Sequence, residues 1–539
     1  MKNYKKILLS IASGIVIVGT YVGTHAEKIL LNSLSAYPIK IEEAGLNDFQ
    51  YDFKYLTELL EIGFPKIDEA FPKEQRLDLK NKILDKLSGK DLDNNTFKLE
   101  LNRYLSKFNN SHTSINVKTK PNPMYPYIIY ISHNKWFLLD IDKSFGDEQI
   151  GSEILQINGQ NVENIEKELF TFIGAENKIS RQAELRRIQA YRNPIYLKSI
   201  GLITSLTDEL KITFEDNFAL TLKPQKASGI NFFNNSSLTN PITKPNEDIY
   251  SYKIYKEQGF AYLQYNAMYD KGEAIAGVKE YLKPWLQPLG YAYLSYMFRR
   301  NKATGALSGR YNPKHPVFKE FLEEMVKDIN NTGIENLIID LRYNNGGVPE
   351  LGAELIYFLT DQAGLTGLDR YAVGSDFIRS YFSQVYSRLR KKYHSNLPEG
   401  KLLLYQDGSD LFKNIRDTSS RHYIPKDRSV FNGNIYVFAR FSTGSAAAML
   451  TTLLKDNGLA TIIGTNVSNN PIGPTSLTWV KLPKTKFTGS IASTYFVRPN
   501  KDAGVLLEPD FWVEFSVEDF INGRDPFLDK ALELINASK

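Results

Sequence analysis

No cysteine occurs anywhere in the 539 residues, which excludes disulfides, thiolate metal sites, a cysteine nucleophile and a lipidated N-terminal cysteine. Histidine is nearly as scarce, with 6 in the chain, so chemistry that needs an imidazole has few places to find one. A strong charge of one sign is missing too. The formal net charge is +5, and Lys2, Lys5 and Lys6 supply part of it, so residues 27–539 carry only +2. That leaves no electrostatic footprint for nucleic acid. Beyond the N-terminal stretch no segment is long and apolar enough to span a bilayer. No phosphate-binding glycine loop, nucleotide motif or metal cluster is visible, so no cofactor is expected.

What is present bounds the fold. A 42% hydrophobic content fills more than one core at this length, and two or three globular domains are expected. Residues 1–26 have a basic start, an apolar segment from Ile7 to Val22 and a small-residue site at Thr24-His25-Ala26. That pattern predicts a signal peptide, with a retained N-terminal membrane anchor as the alternative. The bulk of the protein is expected to be exported: periplasmic, in the cell envelope or secreted.

Residues 27–117 read as a helical region that ends in Asn110-Ser111-His112-Thr113-Ser114, where the pattern turns to a strand. Residues 118–227 read as a small β-rich module, with strands at Tyr127–Ile131, Trp136–Ile141 and Ile154–Ile157 and a turn at Asn158-Gly159. A linker is expected at 228–248, and a last α/β domain at 249–539 with insertions near 270–313 and 371–428, the second largely helical and suited to a lid or wall.

The last domain contains the stretch on which the reading turns. Asn434–Arg440 is a short β-rich run, Phe441-Ser442-Thr443-Gly444 breaks it, and Ala, Met and Leu then recur at helical spacing up to Asn457-Gly458. The pattern predicts strand, tight loop and helix, with Ser445 at the helix N-terminus. There unpaired backbone N–H groups and the helix dipole stabilise an alkoxide or oxyanion. The same position suits a capping serine. Upstream, the strand Asn336–Asp340 opens into Leu341-Arg342-Tyr343-Asn344-Asn345-Gly346-Gly347, and a helix follows from Pro349.

Three separated pieces together resemble the tail-specific or C-terminal-processing serine peptidase family, including its tricorn-core branch. They are LIIDLRYNNGGVPELGAELIYF at 337–358, FSTGSAAAML at 441–450 and Gly504-Val505-Leu506-Leu507-Glu508-Pro509-Asp510. The resemblance implies a crotonase-like ββα-spiral peptidase domain, preceded by a PDZ-like module to which Gly151–Gly159 is similar. It also implies that Ser445 is the nucleophile. Processing members pair this serine with a lysine, but Asn470 stands at the matching place and Ala448 replaces the usual glutamate of the nucleophile motif. Tricorn-core relatives use a Ser-His-Glu triad, and Asn110–Ser114 is similar to their histidine motif, which makes His112 the expected base.

The expected chemistry is peptide hydrolysis on a peptide or protein substrate. The backbone amides of Ala446 and of Gly346 or Gly347 would form the oxyanion hole, and either Asp502 or Glu508 would orient the imidazole. Asp340 and Arg342 are expected to brace the loop as an ion pair. The alternative function is a non-catalytic ligand- or peptide-binding protein on the same scaffold.

Overall fold

The structure, a computed structural model, describes residues 36–537 except 90–91, 234–242, 244–247, 282–283, 289, 292–316 and 395–396. The expected signal at 1–26 lies outside the described residues, as do much of the 228–248 linker and of the insertion near 270–313. Among the described residues no helix is long and apolar enough to cross a membrane.

Two compact units interleave along the chain. Residues 245–368 and 408–462 belong to the first, and 36–244, 369–407 and 463–539 to the second. The expected succession of regions is therefore crossed by the chain, because 463–539 clusters with the N-terminal half instead of completing a 249–539 domain.

In the first unit, Tyr250–Tyr255 and Phe260–Tyr265 form an antiparallel hairpin. Asn336–Asp340 runs parallel to Phe260–Tyr265 on one side and to Asn434–Ala439 on the other. Strands of a parallel sheet are covered on both faces, so they read as unbroken apolar runs. Phe260–Tyr265 and Asn336–Asp340 are accordingly buried at every position. The helix Phe318–Thr332 makes one crossover, with Phe318, Phe321, Leu322, Met325, Val326 and Ile329 inward as its spacing predicts, and ends at left-handed Gly333. Phe318 stacks on Tyr265 at 4.6 Å and Phe321 lies 4.6 Å from Tyr250. The helices Pro349–Leu359 and Ala446–Asp456 follow the two parallel strands. They meet where Gly352 leaves room for Met268 and Leu450.

In the second unit the stretch 27–117 contains the helices Asp48–Gly63, Lys73–Lys86 and Asn94–Leu105. Asn47 opens the first with a reciprocal capping box to Gln50, and Asp93 caps the last by accepting from the Thr96 N–H. Their inner faces bury Phe53, Leu56, Leu60, Phe97, Leu101 and Tyr104 together with Ala372, Leu403, Val480 and Ile491. Those last four lie on or beside a sheet in which Thr488–Val497 pairs antiparallel with Ser114–Asn116, Asp369–Val373 and Gly473–Lys481.

That sheet corrects two expectations. The 371–428 insertion is not simply helical, since Asp369–Val373 and Leu402–Gln406 pair as strands, with the helices Asp376–Tyr381 and Ser383–Tyr393 between them. The Gly504–Asp510 piece, which in the resembled family is a strand, forms none here, and the nearest one, in another sheet, is the two-residue Phe511–Trp512. A second sheet runs in the order Tyr127–Ser132, Lys135–Ile141, Glu153–Ile157, Leu210–Phe214, Ala219–Leu222. It contains the three strands expected in the β-rich module, over a separate core of Trp136, Ile154, Leu169 and Leu210. Asn158 and Gly159 take φ values of 49° and 76°, as a tight hairpin turn between right-twisted strands requires.

Candidate active site

Ser445 stands between strand and helix as expected, in a conformation that L-residues avoid: φ 48°, ψ −120°. Its hydroxyl does not cap the helix, although its carbonyl accepts from Met449 N–H at 3.0 Å. The loop before it is held from the neighbouring strand end. Gly444 N–H donates to Asn344 O at 2.9 Å, and Thr443 Oγ1 donates to Leu341 O at 2.9 Å. Asn344 is fully buried, donates to Tyr265 O at 2.9 Å and accepts from Gly346 N–H at 2.9 Å. One asparagine thus ties the glycine pair, the preceding strand and the serine loop together, a role that the sequence reading did not assign.

Beneath it Asp340 and Arg342, both fully buried, form the expected brace. Arg342 Nε and Nη2 donate to the two carboxylate oxygens at 3.0 and 2.7 Å, and Tyr262 OH adds a hydrogen bond to Asp340.

The three expected oxyanion donors divide. Gly346 N–H is committed to Asn344. Its Cα instead packs against the serine turn, where an added methyl would lie 2.8 Å from both Ser445 Cβ and Ala446 N. Among the described residues no acceptor meets the N–H of Ala446 or of Gly347. Gly347 sits at φ 140°, flanked by hydrogen bonds from Met268 N–H to Gly346 O and from Val348 N–H to Met268 O. Backbone amides of this kind, fixed by their neighbours and not yet paired, suit an oxyanion.

The second unit holds the histidine. Asn109, at φ 48°, ends the helical region, and the polar residues after it fix His112 in place. Asn110 Oδ1 accepts from His112 N–H at 3.1 Å and from Thr113 Oγ1 at 3.0 Å, while Asn110 Nδ2 donates to Pro474 O at 2.8 Å. Ser490 Oγ donates to His112 O at 2.8 Å.

The carboxylate beside the ring is Glu176, with Oε1 4.0 Å from His112 Nδ1. Asn469 Nδ2 lies 3.4 Å from the same ring nitrogen and donates to Glu176 Oε1 at 3.0 Å. Ser111 donates to that oxygen from its N–H at 3.1 Å and its hydroxyl at 2.9 Å. Asp502 and Glu508 have no hydrogen bond or ion pair with His112 and are exposed. Buried Arg498 explains the first: its Nη1 donates to the carbonyls of Ala503, Gly504 and Leu506, so the chain wraps the guanidinium and leaves the Asp502 side chain outside. Asn470 is a loop bracket, accepting from Asn177 Nδ2 at 3.4 Å and donating to Glu176 O.

Sequence reasoning passed over Glu176 because it belongs to no motif. Its one signal was an acid directly after the apolar run Phe170–Ala175. Its turn reaches the histidine segment because Gly174 has no side chain to collide with Leu105 O and Asn110 O, each 3.3 Å from where a Cβ would stand.

Burial pushes the His112 imidazole down to about 4, so the ring is neutral across the physiological range. Burial also pushes the Glu176 carboxyl up to about 7, against the hydrogen bonds from Ser111 and Asn469 that favour its ionised form. The sign follows from linkage. A carboxyl whose folded pKa is raised contributes least when ionised, and stability is lost as pH rises from its unfolded value through about 7. Glu176→Gln is therefore expected to gain on the parent protein by about 3 kcal/mol in urea-unfolding free energy between pH 5 and pH 8.5. A pH-independent difference would contradict it.

The comparisons with known proteins bear on this geometry. The sequence profile of peptidase family S41 matches residues 314–493, which include the Asp340–Gly347 loop and the Ser445 turn. Residues 314–493 therefore resemble an S41 peptidase domain. No curated protein matches the chain in sequence. Among solved structures, mature CPAF is 16% identical, with 90% of this chain and 97% of that chain covered and a TM-score of 0.55. Mature CPAF complexed with lactacystin gives 16%, 90%, 98% and 0.57. At these identities the likeness shows a shared fold extending on both sides of the S41 match. The expected resemblance to the tail-specific peptidase family is met over residues 314–493, where the S41 peptidase family matches.

Proposed function

We propose that the chain is an exported serine peptidase in which Ser445 attacks the scissile carbonyl, His112 takes the serine proton and returns it to the leaving amine, and the Ala446 and Gly347 amides receive the oxyanion. Glu176 is the carboxylate that orients the imidazole in this reading, with Asn469 beside it, and Nδ1 is the ring nitrogen turned toward them. A crotonase-like arrangement of the first unit and a PDZ-like role for 118–227 accompany the family resemblance.

The observation that carries the reading is the strained Ser445 turn, packed against Gly346, with the Ala446 and Gly347 amides meeting no acceptor among the described residues. Strain of this kind persists only where surrounding contacts impose it, and here Asn344 and the Asp340–Arg342 brace do so. The test is exposure of the intact chain to a fluorophosphonate probe, followed by mass analysis of the modified peptide. The adduct is expected on Ser445. Modification of another residue, or none alongside failure to cut any member of a peptide library, would leave the binding-protein alternative.

A further inference from the structure

A buried group of charged side chains lies in the first unit outside the reacting residues. His422 Nδ1 is 2.7 Å from Glu354 Oε1, and its Nε2 is 3.5 Å from Glu273 Oε1. Arg421 donates to both Glu273 oxygens at 2.9 Å. Glu354, Glu273 and His422 are all buried, and Glu354 Oε2 and His422 Nε2 have no hydrogen-bond partner among the described residues.

The group closes a ring of contacts around the oxyanion loop. Met268 is laced to both sides of Gly347 through Gly346 O and Val348 N–H, at 3.0 and 2.7 Å. Going one way from that lacing, Asp270 accepts from Glu273 N–H at 2.8 Å and from Phe318 N–H at 2.9 Å, fixing the start of the helix Lys271–Tyr281. Going the other way, Gly347 leads into the helix Pro349–Leu359, which carries Glu354. His422 and Arg421 join the two arms. Lys319 anchors the same segment from the helix Phe318–Thr332, donating to Arg421 O at 3.0 Å and Tyr423 O at 3.1 Å. We propose that His422 is a positioning residue for the peptidase: bridging Glu354 and Glu273, it holds the two arms together and so fixes the Gly347 amide relative to Ser445.

The inference rests on the serine-peptidase reading of Ser445. The groups facing the ring are Glu354 and Glu350 from one helix, Glu273 with Asp270 from another, Lys319 from a third and Arg421 from its own segment. Burial alone would lower the His422 pKa, but the Glu354 hydrogen bond and the charges of Glu354, Glu273 and Glu350 outweigh it and raise it above the ordinary value. A histidine so raised contributes stability in full below its unfolded pKa of about 6.5 and loses it as pH rises through the folded one.

The experiment compares the parent, His422→Gln and Glu273→Gln between pH 6 and 9.5, reading the urea-unfolding midpoint and the rate of fluorophosphonate labelling at Ser445, with kcat and KM on any peptide the parent cuts. Both readouts are expected to fall in the parent as His422 deprotonates. His422→Gln should lose the part of that pH dependence that Glu176 does not account for and label about tenfold more slowly at pH 7, with KM changed less than about twofold. Glu273→Gln, which keeps shape and one acceptor for Arg421, should move the transition to lower pH and keep the proposal testable if His422→Gln does not fold. An unchanged transition in either variant overturns the bridge, and a lost transition with parental labelling overturns the positioning role. A parent that never labels at Ser445 overturns the serine-peptidase reading and the positioning role with it, whereas a labelled parent with unaffected variants overturns this inference alone.

Discussion

Ser445→Ala is expected to lower kcat/KM by about 10⁴-fold or more while the chain stays folded. The size follows from what the serine alone supplies. Without a hydroxyl no acyl-enzyme forms, and only the proposed oxyanion amides of Ala446 and Gly347 remain to assist attack by water. The hydroxyl does not cap the helix Ala446–Asp456. A second substitution separates chemistry from strain. Ser445→Gly should be as inactive as the alanine variant, yet more stable than it by about 1 kcal/mol, because only glycine occupies φ 48°, ψ −120° without a Cβ penalty. Steady-state kinetics and urea unfolding of the two variants check both halves. Near-parental activity in either would remove Ser445 as nucleophile.

Gly346→Ala is expected to lower kcat by about 10²- to 10³-fold and stability by about 1–3 kcal/mol. Its added methyl would stand 2.7 Å from Gly444 O and 2.8 Å from Ser445 Cβ and Ala446 N, at a φ of 100° that alanine disfavours. Both the serine and the Ala446 amide must then shift. No neighbouring flexible side chain can absorb the clash, since two of the three close atoms are backbone. The contact places the effect in kcat, because the groups moved are those proposed to act on the transition state. If kcat stays within about threefold of the parent and only stability suffers, the glycine is a packing residue and not part of the site.

The histidine arrangement shows how partial the sequence record is. Asn110-Ser111-His112-Thr113 was legible as a motif, and the structure assigns work to every member: Asn110 and Ser490 hold the backbone, Thr113 Oγ1 accepts from Ala492 N–H at 3.1 Å, and Ser111 meets Glu176. The partner carboxylate was sought through the family resemblance, Asp502 by its spacing from the serine and Glu508 by the Glu-Pro-Asp motif, and both are exposed in the fold. The paired strands Gly473–Lys481 and Thr488–Val497 also went unread. Their alternation is inverted at Leu477-Thr478-Trp479, where the apolar residues face outward and Thr478 is buried at 2.6 Å from Ser493 Oγ. A pattern that puts apolar side chains outside defeats a reading based on apolar burial.

The sequence by itself determined the strand–loop–helix around Ser445, the glycine pair after Asp340 and Arg342, and the helices and strands whose caps and periodicity are local. Those signals are local because they depend on side chains a few residues apart competing for the same backbone groups. Only the tertiary structure decided that Glu176 and Asn469 meet His112, that Asn344 ties the glycine loop to the serine loop, and that 463–539 clusters with the N-terminal half. The physical reason is that closing a long loop costs little more than closing a short one, so spacing along the chain barely constrains which distant polar groups meet. What selects the partner is burial, because a carboxyl or amide taken from water must find hydrogen bonds wherever the packed core leaves them.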